Sequence, residues 1–171
     1  MSRSGLPLAL LSVGALAVAG LARSGSRSIV SIGNTVTIPA GTPLWHATQA
    51  SFPGIPTSPR GDRPTWFGLG RTETLWYATS SWREGSSPRL IESVTTRPLV
   101  LPNVAGGYGA FAMSVGANEV TPQALTVALR ARGDCGWAIA SRTLGLTSES
   151  AIALVDPVGC GVRFVGSEEI R

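Results

Sequence analysis

The chain of 171 residues contains no lysine; its 14 cations are all arginine. A Schiff-base amine and a phosphate-loop lysine are therefore excluded as the basis of any mechanism. Histidine occurs once, as His46, and cysteine twice, as Cys135 and Cys160. Such a donor set makes no zinc pattern, and no metal site is expected. The two cysteines allow one disulfide in an oxidising compartment and equally allow two buried thiols. Charge is scarce as well, at 14% of residues against a typical ~25%. The formal charge is +4, but Arg3, Arg23 and Arg27 flank the N-terminal apolar run, and the remainder is close to neutral. No basic stripe of the kind a nucleic-acid binder carries is visible. An apolar fraction of 43% fills a core and argues against disorder, and the length suits one domain.

What the chain has instead is a long apolar start. Gly5 to Ala22 is interrupted by Pro7 and by a single polar residue, Ser12. It is about the shortest run that spans a ~30 Å hydrocarbon layer. The same stretch, with Ala17-Val18-Ala19 as a small-x-small cleavage site, also fits an export signal. Both readings stand, and a soluble helix is disfavoured because the run has no polar face. Arg23 to Ser28 reads as a flexible linker. The expected division is residues 1–28, anchor or signal plus linker, and 29–171, one folded domain, membrane-anchored or exported.

With 21 Gly and 12 Pro, the domain is expected to consist of short elements and many turns. Strands are expected at Ile29–Ile38, Leu44–Thr48, Thr65–Leu69, Leu90–Val94, Pro98–Leu101 and Ser150–Val155, with Val162–Val165 as neighbour of the last. Gln49 to Pro64 reads as a long surface loop and Asn103 to Ala110 as a glycine-rich one. One helix is expected from an N-cap at Thr72 to about Ser81. A second is bounded by Thr121-Pro122 and Gly133, with Leu125, Val127, Ala128, Leu129 and Ala131 as its apolar face. The fold class is α+β, with two short helices behind one N-terminal apolar helix.

Three blocks carry chemistry. The first is Leu44-Trp45-His46-Ala47-Thr48. The second runs from Trp66-Phe67-Gly68-Leu69 into Thr72-Glu73-Thr74-Leu75-Trp76-Tyr77, an aromatic and a tyrosine with ten residues between them. The third is Gly133-Asp134-Cys135-Gly136-Trp137-Ala138-Ile139, followed by the Ser150–Pro157 strand. By default an isolated His is a hydrogen-bonded structural residue, and Trp66, Phe67, Trp76 and Tyr77 are core aromatics. In order and spacing, however, the blocks from about Ile38 to Val165 resemble the ADP-ribosyltransferase superfamily, especially its diphtheria-toxin and poly(ADP-ribose) polymerase branch.

The resemblance implies a split β-sheet core and NAD as substrate. In that reading His46 holds the dinucleotide's hydroxyls, and Ala47, where the family has Gly, presents its backbone to the carboxamide. Thr48 replaces a family Ser, and Tyr77 stacks on nicotinamide. The family glutamate at the start of the late strand falls on Ala151. Glu149, two residues earlier and about 7 Å along a strand, is the expected catalytic carboxylate, with Glu119 a lesser substitute. The implied acceptor is more a protein than a nucleic acid, given the near-neutral domain. The alternative is a membrane-tethered structural or interaction domain that keeps the fold without the reaction. A secreted β-rich binding module is the third reading.

Overall fold

Short runs of alternating apolar residues dominate the chain, and among the described residues they become nine strands. The computed structural model describes residues 30–32, 35–48, 54–55, 61–81, 88–105, 107–141 and 145–170. The expected apolar N-terminal helix, the expected membrane segment at residues 5–22 and the domain boundary at 28 all lie outside them. In chain order the elements are β1 (Val30–Ile32), β2 (Thr35–Ile38), β3 (Pro43–Thr48), β4 (Thr65–Gly68), α1 (Arg71–Ser81) and β5 (Arg89–Thr95). These are followed by β6 (Leu99–Pro102), α2 (Tyr108–Ser114), α3 (Pro122–Arg132), β7 (Gly136–Ile139), β8 (Ala151–Leu154) and β9 (Val162–Glu169). The class is α+β, with two antiparallel sheets of order β1-β2-β6 and β7-β8-β4-β3-β5-β9.

Period-two alternation builds a layer on each face of the larger sheet. Ile152 and Leu154 of β8, Ala138 of β7, Phe67 of β4 and Leu44 of β3 point to one face. There they meet Val36, Ile38, Leu99 and Leu101 of the smaller sheet. The opposite residues, Ala153 of β8 and Trp137 of β7, pack on Leu125 and Leu129 of α3 and Ala112 of α2. Asn103 fastens the sheets together: its side-chain oxygen accepts from the Ala140 N–H at 3.1 Å, beside its own bridge to Ala138. A disulfide between Cys135 and Cys160, Cα–Cα 5.6 Å, decides between the two cysteine readings. Among the described residues no helix is long and apolar enough to cross a membrane.

Several expectations change. Ile29–Ile38 is not one strand: β1 and β2 pair antiparallel from Val30↔Thr37 to Ile32↔Thr35, separated in sequence by Gly33-Asn34, types that two-residue hairpin loops favour. Among the described residues there are three helices where two short ones were expected, because α2 begins inside the supposed glycine-rich loop. Its aromatics Tyr108 and Phe111 pack against the α3 layer, a tertiary gain that outweighs the weak helix former Gly109. β9 does not neighbour β8. It pairs with β5 at the far edge, Thr95↔Val162 through Arg89↔Glu169, because Arg97 and Thr96 hold the preceding turn through the carbonyls of Gly159, Cys160 and Gly161.

Helix α3 keeps its expected ends: Thr121 Oγ1 accepts from the Ala124 N–H at 3.2 Å, and Gly133 closes it at φ 74°. Its buried face is Leu125, Thr126 and Leu129, whereas Val127 and Ala131 face outward. Thr126 is admitted because its hydroxyl donates to the Pro122 carbonyl at 2.7 Å, leaving its methyl for packing.

Candidate functional site

The larger sheet is weakest at its centre. Among the described residues β3 and β4 share a single register pair, Trp45↔Gly68, while β3 is paired with β5 along its whole length. From His46 onward the two central strands part, and a cleft of about 470 Å³ opens between them, within the ~300–1,000 Å³ typical of small-ligand sites. The ring of His46 lies in this gap. Its Nδ1 is 2.5 Å from the carbonyl oxygen of Trp66 on β4, and its centroid is 5.8 Å from that of Phe67. A carbonyl can only accept, so Nδ1 carries the hydrogen, and the neutral ring keeps its lone pair on Nε2. Burial pushes the imidazole pKa below 6.5, more than the bond to Trp66 raises it. His46 is therefore neutral at physiological pH and offers one acceptor nitrogen.

Helix α1 forms one wall. It starts at Arg71, one residue before the expected cap at Thr72. The carbonyl of Gly70 takes the first bonds instead, from the Thr74 N–H at 3.1 Å and the Thr74 hydroxyl at 2.8 Å. Glu73 and Tyr77 sit four residues apart, on one helical face, and both line the cleft. Neither Trp76 nor Tyr77 is a core aromatic; they are 71% and 68% exposed. Phe67 and Trp66 do pack inward, the latter edge-on to Trp137 with centroids 5.7 Å apart. Trp45 carries the Arg71 guanidinium 6.0 Å from its ring centroid, and Arg71 in turn pairs with Glu168 of β9.

The adjoining wall is the turn before β8. Ser150 is buried and closes it: its N–H donates to the Thr147 carbonyl at 3.0 Å, and its Oγ accepts from the Thr147 N–H at 2.9 Å. Ser148 and Glu149 stand exposed at the tip, and Ala151 opens the strand. The Gly70 N–H donates to the Ser148 carbonyl at 3.2 Å, tying this turn to the start of α1.

The structure thus brings His46, Ala47, Tyr77 and Glu149 to one cleft, with Ala151 in the same wall. Thr48, at the outer end of β3, is not among the lining residues, and neither is Glu119, exposed before α3. One carboxylate in the cleft was missed from sequence. Glu73 reads there as a helix-end charge, although its spacing from Tyr77 already puts the two on one face. Its carboxyl is held below the ordinary value by the Ser148 hydroxyl and then by its own backbone N–H at the helix start. No group of three or more metal-ligating side chains occurs among the described residues.

No protein-family profile matches the chain, and no curated protein matches it in sequence. One solved structure is similar. It is the MbcT–MbcA toxin–antitoxin complex of M. tuberculosis, in which the matched chain is 12% identical at a TM-score of 0.45, covering 78% of this chain and 86% of that one. A likeness at that level assigns neither function nor partner.

Proposed function

We propose that the domain binds NAD in the cleft between β3 and β4, breaks its nicotinamide–ribose bond and passes ADP-ribose to an acceptor. The observation that carries this reading is the convergence of His46 and Tyr77, 31 positions apart in sequence, on one cleft where the sheet splits. A neutral imidazole whose donor is already committed to Trp66 suits a ribose hydroxyl, which donates to Nε2. The exposed ring of Tyr77 offers a stacking face for nicotinamide. Ala47 places a methyl group where the resembling family has none. The split sheet itself agrees with the family architecture implied by the three sequence blocks.

The bond breaks with its electron pair going to the nicotinamide nitrogen. Neutral nicotinamide leaves, and a ribosyl cation remains for the acceptor. Little covalent work falls to the protein, whose contribution is to position the dinucleotide and to stabilise developing positive charge. The near-neutral domain favours a protein side chain over nucleic acid as acceptor. An exported or membrane-tethered location accords with the apolar run at residues 5–22 and with the disulfide, a bond that persists in oxidising compartments.

The test is nicotinamide release from NAD by the full chain in mild detergent. Turnover is expected, and His46→Ala is expected to lower it about a hundredfold. Equal rates from both proteins would remove His46 from the reaction. A second reading has its own observation: Ala151, a bare methyl, stands at the strand start where the family carboxylate belongs. A tethered binder without turnover is the result if NAD binds by calorimetry and no nicotinamide appears.

A further inference from the structure

Resting on the reading of the cleft as an NAD site, we infer that Glu73 of α1, and not Glu149, supplies the carboxylate that stabilises the ribosyl cation. Three independent features of the fold support it. Glu73 lies one turn from Tyr77 on the same face of α1, and both line the cleft.

The carboxylate is also built in. A β-carbon at Gly70 would fall 1.9 Å from Glu73 Oε2 and 2.8 Å from the Ser148 β-carbon. The side chain therefore folds back over the space that the missing β-carbon of Gly70 leaves open. On its other side the Ser148 hydroxyl donates to it, and Ser148 is itself anchored to the helix start by the Gly70 N–H. Glu149, in contrast, stands exposed at the turn tip. A group held by a helix start, a hydroxyl and a glycine gap needs little reorganisation when charge appears, which is the condition for effective electrostatic stabilisation.

Chemically the demand is modest. As the C1′–N bond breaks and its electron pair leaves with nicotinamide, the ribosyl cation faces the ionised Glu73. An attacking water or side chain then adds to C1′ and loses its proton to solvent. With water the products are nicotinamide, ADP-ribose and one proton, and no further reactant is required.

Glu73 occupies the third position of α1, where a carboxylate also serves the helix. The test must separate the two roles. Glu73→Gln keeps the side chain's length, its hydrogen bonds and a capping-competent amide, and removes only the charge. For the full chain, kcat for nicotinamide release should fall about a hundredfold in Glu73→Gln, with NAD affinity by calorimetry and the circular dichroism spectrum unchanged. Glu149→Gln should lose far less than Glu73→Gln does. Glu73→Asp, shorter but charged, should recover part of the loss. The inference is overturned, with the NAD reading intact, if Glu73→Gln turns over at the wild-type rate or if Glu149→Gln carries the loss. It is also overturned if Glu73→Gln and Glu73→Asp fail equally through a lowered Tm, which marks a structural role. A wild-type chain that neither binds nor cleaves NAD ends the underlying reading and this inference together.

Discussion

His46 shows how one hydrogen bond turns a common residue into a specific one. The Trp66 carbonyl fixes the tautomer and burial keeps the ring neutral, so the acid form is the one the fold disfavours. The unfolded chain's imidazole titrates near 6.5. Between the folded pKa and that value the unfolded state binds the additional proton, so stability rises with pH across this window and is flat above it. We expect the Tm to begin falling as the pH drops below about 6.5, and His46→Gln to remove that part of the fall while leaving the later part. Glu73, also depressed, loses its contribution only below its ordinary 4.5. Thermal melts of both proteins between pH 4 and 8 decide it; parallel profiles would show that His46 is not the titrating group. Gly70 offers a second test at this scale. Gly70→Ala brings a methyl against the Glu73 carboxylate and the Ser148 β-carbon and displaces the carboxylate, so a drop in nicotinamide release resembling that of Glu73→Gln is expected.

Elements were legible where local chemistry decides them. Thr121, Pro122 and Gly133 announce both ends of α3, and the structure places each where the sequence does. Thr121→Ala should cost about 1 kcal/mol in urea unfolding, Leu129→Ala about 2–5 kcal/mol, and Val127→Lys, on an exposed position, less than about 0.5 kcal/mol. A large loss at Val127 would mean that this face is covered. What the sequence concealed was decided by partners distant along the chain. Helix α2 forms on poor local propensity because Tyr108 and Phe111 have a layer to enter. β9 passes by β8 and joins β5, because Thr96 and Arg97 capture its turn. The cleft divides in the same way. The spacing of His46 and Tyr77 could be read from a resemblance, whereas Glu73 becomes a cleft residue only once Gly70 and Ser148 are seen to meet.

At the scale of the molecule the larger sheet is two halves, β7-β8-β4 and β3-β5-β9, joined at the centre by one register pair. That weak seam is what opens the cleft, and something else must hold the halves in place. Cys135 immediately precedes β7 at one edge of the sheet, and Cys160 precedes β9 at the other. Their disulfide, closing a separation of 25 residues, therefore links the outer strands of both halves, and Cys160 is buried in the core between the two sheets. Loop closure over that length corresponds to about 3–4 kcal/mol of stability. If the bond serves only stability, reduction will lower the Tm and leave turnover per folded molecule unchanged. If it sets the separation of β3 and β4, reduction at a temperature where the protein remains folded will weaken NAD binding as well, because His46 on β3 and its Trp66 partner on β4 belong to different halves. We expect the second outcome: a lower Tm and weaker NAD affinity in reductant, reproduced without reductant by replacing both cysteines with serine. An affinity indifferent to reduction, with the Tm lowered, would leave the β3–β4 spacing to the core packing alone.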